Sequence, residues 1–87
     1  MKSVNKKIVV RNKQGLHARP AALFVQIASR FDARITVAKD GEVVNGKSIM
    51  GILMLGAAKG SEVIIEAAGD DAEEALLELE RLLTCDE

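Results

Sequence analysis

Tryptophan and tyrosine are absent from the 87 residues, and phenylalanine occurs only twice. A protein that binds single-stranded nucleic acid stacks bases on aromatic rings, so that class is excluded. With 12 basic and 13 acidic residues there is no general attraction to a phosphate backbone either. A single cysteine, Cys85, can form no internal disulfide, which suits a reducing compartment, and nothing nearby in the chain activates its thiol. One histidine and one cysteine are too few for a typical zinc site, which takes three or four such ligands. No metal or cofactor is expected. No apolar run is long enough to span a bilayer, and Met1–Val10 lacks a secretory pattern. A cytoplasmic protein without membrane insertion is the expectation.

What is present describes a compact globular chain. Apolar residues make up 48% and charged residues 29%, too apolar for disorder. A single domain over 1–87 is expected, small enough to need a tightly assembled core. The charges are polarised along the chain. Basic residues dominate from Lys2 to Arg34, where Asp32 is the one acid, and acids crowd from Glu62 to Glu87 around one base, Arg81. A molecule basic at one end and acidic at the other is a possible outcome; a solvated acidic helix is the other.

Hydrophobic periodicity places the elements. Lys7–Arg11 reads as a first strand with Ile8 and Val10 inward. Pro20 suits the first turn of a helix whose core stripe is Ala21, Phe24, Val25, Ala28 and Phe31. Arg34–Ala38 alternates as a strand, Asp40-Gly41 signals a hairpin, and Val43-Val44 begins the returning strand. Ser48 is suited to cap a short helix, Glu62–Ala67 reads as a fourth strand, and Asp70-Asp71-Ala72-Glu73 reads as a capping box. The last helix should bury Ala72, Ala75, Leu76, Leu79, Leu82 and Leu83. The order βαββαβα implies an α+β fold, a four-stranded antiparallel sheet covered on one face by three helices.

The chemistry concentrates in Gly15-Leu16-His17-Ala18-Arg19-Pro20-Ala21. His17 falls at the N-cap position, where the backbone N–H groups of Ala18 and Arg19 lack helical partners and the helix dipole is positive. Such a terminus receives anions. Neutral imidazole is a competent nucleophile near neutral pH. No acid precedes residue 32 to repel a phosphate. A histidine that accepts and donates a phosphoryl group fits this setting; a histidine that merely caps or packs is the blander reading. Gly41-Glu42-Val43-Val44-Asn45-Gly46-Lys47-Ser48 formally spells a nucleotide phosphate loop. It overlaps hairpin and strand signals in a chain too short for that domain, and is set aside.

The segment around His17 resembles the active-site motif of HPr, the histidine-containing phosphocarrier of the bacterial sugar phosphotransferase system. Lys47-Ser48-Ile49-Met50-Gly51 resembles that family's regulatory serine motif, and Ala58-Lys59-Gly60-Ser61-Glu62 its next loop. The likeness spans nearly the whole chain. It implies an open-faced β-sandwich and a carrier without turnover of its own. By that likeness His17 takes phosphate on Nδ1 from phosphorylated Enzyme I and passes it to the A domain of a sugar-specific Enzyme II. Arg19 and the backbone of Ala18 and Arg19 would steady the phosphate.

The same resemblance implies that Ser48 is a substrate of an HPr kinase/phosphorylase, in carbon catabolite control through a transcription factor. It also suggests a partner surface of Ala22, Leu23, Gln26, Lys47, Ile49, Met50 and Leu53, on a monomer. Methionine suits a surface that meets several partners. Two other readings remain at this point. One is a mainly regulatory or nitrogen-branch paralogue. The other is an acylphosphatase-like hydrolase, which shares a short βαββαβ plan but would place an arginine and an asparagine at its phosphate site.

Overall fold

The computed structural model describes residues 2–85. Its elements are β1 (Ser3–Val9), α1 (Ala18–Ala28), β2 (Arg34–Lys39), β3 (Glu42–Asn45), α2 (Ile49–Leu55), β4 (Glu62–Ala68) and α3 (Ala72–Thr84). The strands form one antiparallel sheet in the order β1-β4-β2-β3. Strict alternation in β4 sends Val63, Ile65 and Ala67 into the core and leaves Glu62, Ile64 and Glu66 exposed. Ile8, Ile35 and Val37 join the inner face from the neighbouring strands. Phe24 of α1, Ile52 and Leu55 of α2, and Leu79 and Leu83 of α3 close over them. Each large side chain so buried contributes roughly 1.5–3 kcal/mol of transfer free energy. Val25, Phe31, Leu76 and Leu82 sit half-buried at the margin of this core. The α+β open-faced sandwich is the expected one. The β2–β3 hairpin turns at Asp40 and Gly41, both at positive φ, with Lys39 opposite Glu42.

Two local expectations are corrected, and the question of charge polarity is settled locally. The first strand starts at Ser3, not Lys7, and ends at Val9. Its polar stretch hid the alternation, because Lys6 pairs with Glu80 of α3 at 2.7 Å while Val4 packs against the core. The capping box does not form. Asp71 is the N-cap of α3 but makes no side-chain cap bond. Its two carboxylate oxygens instead accept the N–H groups of Asp32 and Ala33, each at 2.9 Å, tying the chain after α1 to the start of α3. The charges are interleaved and not separated along β1: Lys2 meets Glu73, Lys6 meets Glu80 and Lys7 meets Glu62.

The segment leading to α1 is fastened on two sides. Val10 N–H donates to Ser61 O at 2.8 Å and Gly60 N–H to Val10 O at 2.7 Å. Arg11 and Asn12 both donate to Leu83 O at the end of α3, at 2.7 and 3.3 Å. Buried Asn12 then closes the loop internally, its Nδ2 donating to Gly15 O at 2.8 Å. Leu16, fully buried, donates its N–H to Ala57 O at 2.7 Å. Gly15 makes this approach possible. At φ +63, an added Cβ would lie 2.5 Å from Ala57 O and 2.9 Å from Ala58 Cα.

α1 and α2 lie side by side and run in opposite directions. The Leu16–Ala57 bond joins the start of α1 to the end of α2, while Lys47, just before α2, donates from Nζ to Phe31 O just past α1, at 2.7 Å. His17 therefore stands at one end of this helix pair and Ser48 at the other.

Two glycines separate close approach from backbone strain. Gly56 has φ +61, nearly that of Gly15, but a Cβ there would meet nothing within 4 Å. Gly56→Ala should cost about 1–2 kcal/mol, the left-handed penalty alone. Gly15→Ala should cost clearly more in urea unfolding, because Ala57 must also move; equal losses would show that the contact can relax freely.

Candidate functional site

His17 is the N-cap of α1, with extended backbone at φ −110 and ψ 163. Its carbonyl accepts Ala21 N–H at 3.1 Å, the first bond of the helix. The side chain forms no cap bond, and the residue is exposed. Among the described residues no group hydrogen-bonds the ring, and neither Ala18 nor Arg19 finds a partner for its backbone N–H. Pro20, the third helical residue, has no N–H to satisfy. The first turn contains no acidic side chain, so its positive end is not neutralised from within. Ala18 holds φ at +26, a sparsely populated conformation that costs an alanine on the order of 1–3 kcal/mol. The bonds that fasten Leu16 before it and the helix after it hold that conformation.

Several cations without an ion pair among the described residues lie on the first turn of α1 and on the segments leading to it, while Arg30 and Arg34, also unpaired, stand past its other end. Arg11, Lys13, Arg19 and Lys59 make no ion pair among the described residues, whereas three lysines of the N-terminal segment do. Arg11 and Lys59 flank one shallow cleft. Arg19 borders another, of about 350 Å³, together with Asn12, Gln14, Leu23 and the exposed Cys85. Part of the basic surplus seen in the sequence thus lies on the segments leading into α1.

Beside it α1 and α2 expose an apolar face. Leu23 is 38% exposed, Ile49 43%, Met50 65% and Leu53 38%, with Gln26 also exposed and Ala22 half-buried. Ile52 and Leu55 face the core. Met54, 69% exposed, belongs to this face and was missed by the sequence reading. Its spacing of four from Met50 was the available signal.

Lys47 is the member of the expected surface that sits differently. Its ammonium is held by Phe31 O at the end of α1 away from His17, in a half-buried position, so it is no free rim charge at the histidine. Ser48 caps α2 as the sequence suggested, its Oγ accepting Gly51 N–H at 3.1 Å. It is partly exposed.

The site can therefore present a ring nitrogen to a tetrahedral anion, with two free backbone N–H groups next to it and Arg19 two residues on in the chain. Phosphoryl transfer requires mainly that: a nucleophile, alignment, and groups that take up the charge of the moving oxygens.

Comparison with known proteins identifies the family. The family model described as the HPr component phosphorylation site of the phosphotransferase system matches residues 4–84. The HPr-like protein Crh of Bacillus subtilis is 53% identical over 76 residues, spanning 87% of this chain and 89% of that one. The crystal structure of the phosphocarrier protein HPr from Bacillus anthracis superposes with a TM-score of 0.91 at 53% identity, covering 93% of this chain and 96% of that one. An HPr dimer from Thermoanaerobacter tengcongensis is 57% identical with a TM-score of 0.70, covering 91% of this chain and 88% of that one. Dimers thus occur among the relatives, and the expectation of a monomer draws no support from them. On matched length, identity and superposed fold together, this chain belongs to the HPr family of phosphocarrier proteins.

Proposed function

We propose that the protein carries a phosphoryl group on His17 between Enzyme I and the A domains of sugar-specific Enzyme II proteins, in the cytoplasm. The observation that carries this reading is the exposed imidazole at an open helix N-terminus, with free N–H groups at Ala18 and Arg19 and no carboxylate in the first turn. A nitrogen of His17, Nδ1 by family likeness, forms the P–N bond as the bond from phosphorus to the donor breaks. The Ala18 and Arg19 N–H groups and the Arg19 guanidinium take up the charge of the phosphate oxygens. Donor and acceptor dock on the apolar face of Ala22, Leu23, Gln26, Ile49, Met50 and Leu53, steered by the unpaired cations around it. The group returns to another protein, so the chain has no turnover of its own.

Ser48 supplies regulation in this reading, as the substrate of an HPr kinase/phosphorylase and the contact of a catabolite-control transcription factor. A phosphate there adds nearly two negative charges at the far end of the docking face and leaves the active imidazole untouched. The likeness to Crh favours a second reading, a mainly regulatory member of the family. His17 favours the carrier, since some regulatory paralogues lack the histidine. The working form is taken to be a monomer, which sedimentation distinguishes from the dimeric state of some relatives.

Mixed with phosphoenolpyruvate and Enzyme I, the protein should gain the mass of one phosphate, labile in acid and stable in base, and His17→Ala should gain none. No uptake by the unaltered protein would leave the regulatory reading. Ser48→Asp should accept phosphate from Enzyme I more slowly, with the difference shrinking as salt rises; an unchanged rate at low and moderate salt contradicts the regulatory role of the serine. Met50→Glu should weaken docking to Enzyme I while urea unfolding stays nearly unchanged, since Met50 is 65% exposed. Loss of the fold would make Met50 a structural residue instead.

A further inference from the structure

The two most exposed large apolar side chains among the described residues are both methionines, Met54 at 69% and Met50 at 65%. They stand four residues apart and so on one side of α2, away from Ile52 and Leu55, which are buried in the core. Leucine would cover the same apolar area. What methionine adds is a thioether whose sulfur lone pair is open to solvent.

We propose that Met50 and Met54 form a reversible oxidation site through which hydroperoxides disable the docking face; this rests on the carrier reading above. The sulfur attacks the terminal oxygen of a hydroperoxide and the O–O bond breaks. The oxygen stays on sulfur as the sulfoxide, while the remaining alcohol, or water in the case of hydrogen peroxide, takes the proton and leaves. The thioether is oxidised and the peroxide reduced, with no other reactant. A sulfoxide is strongly polar, and a partner that buries it loses the match an apolar face requires. The change falls outside the core, so the fold is retained and docking alone is lost. It also leaves His17 chemically intact, so that reduction of the sulfoxides restores the carrier.

The test uses a Cys85→Ser background, because the exposed thiol also reacts with hydroperoxides. After treatment with hydrogen peroxide, peptide mass mapping assigns the added oxygens, urea unfolding checks the fold, and phosphate uptake from Enzyme I is timed. Oxidation at Met50 and Met54 should slow uptake at least tenfold with no shift in the unfolding midpoint, and methionine sulfoxide reductases should restore the rate. In Met50→Leu/Met54→Leu, the rate after peroxide divided by the rate before it should stay near one, whatever the starting rate. Unchanged uptake by protein oxidised at both positions overturns the proposal, as does an equal slowing in the leucine variant. If the untreated protein takes no phosphate at all, the carrier reading falls and this proposal with it. If it takes phosphate and oxidation changes nothing, only this proposal falls.

Discussion

The hydrogen bond from Leu16 N–H to Ala57 O joins two loops that the chain separates by some forty residues, and the placing of the histidine depends on it. With Leu16 fully buried on one side of His17 and α1 beginning on the other, the backbone at His17 has little freedom. Gly15 removes the side chain that would hold those loops apart, and Asn12 closes the approach from behind. The strained φ of Ala18 lies next to this junction. It is tolerable there because the neighbouring residues are fixed by the core and by the helix, so relaxing Ala18 would disturb both.

A division of labour follows from that constraint. The inner face of the sheet and the buried stripes of three helices supply stability, and none of those residues is needed for the chemistry. In the proposed reading the outward sides of α1 and α2 supply contact, and they can stay apolar and exposed because the core does not require them. The lysines of the N-terminal segment are matched to carboxylates, while Arg11, Lys13 and Arg19, on the way into α1, are not matched among the described residues. An anionic group arriving at His17 thus meets a local surplus of positive charge on a chain of nearly neutral net charge. Ser48 stands across the helix pair from the imidazole, at the start of α2.

Much of this was legible in the residues themselves. His17 at the mouth of a helix followed from Pro20 and the apolar stripe after it, and the cap by Ser48 from its place before Ile49-Met50. The interior stripes of α1 and α3 follow from the helical period of their apolar residues. The misses share a cause. The role of Asp71 depends on Asp32 and Ala33, nearly forty residues away, and no local pattern of capping residues encodes it. The early start of β1 rests on its ladder with distant β4, along which Lys6 stays exposed and reaches Glu80. Lys47, expected in the partner surface, is held instead by the carbonyl of Phe31, sixteen residues earlier in the chain. Contacts between distant segments decide each of these, whereas the motif around His17 is complete within seven residues.

The account makes the backbone at the start of α1 the cradle of the phosphate, and amide resonances report on that directly. In ¹H–¹⁵N spectra recorded before and after phosphorylation by Enzyme I and phosphoenolpyruvate, the amide protons of Ala18 and Arg19 should move strongly downfield. Those of Val63 and Ile65 in the core should hold still. Unmoved Ala18 and Arg19 amides in fully phosphorylated protein would mean that the phosphate is held by something other than this helix terminus, and the central claim would be wrong.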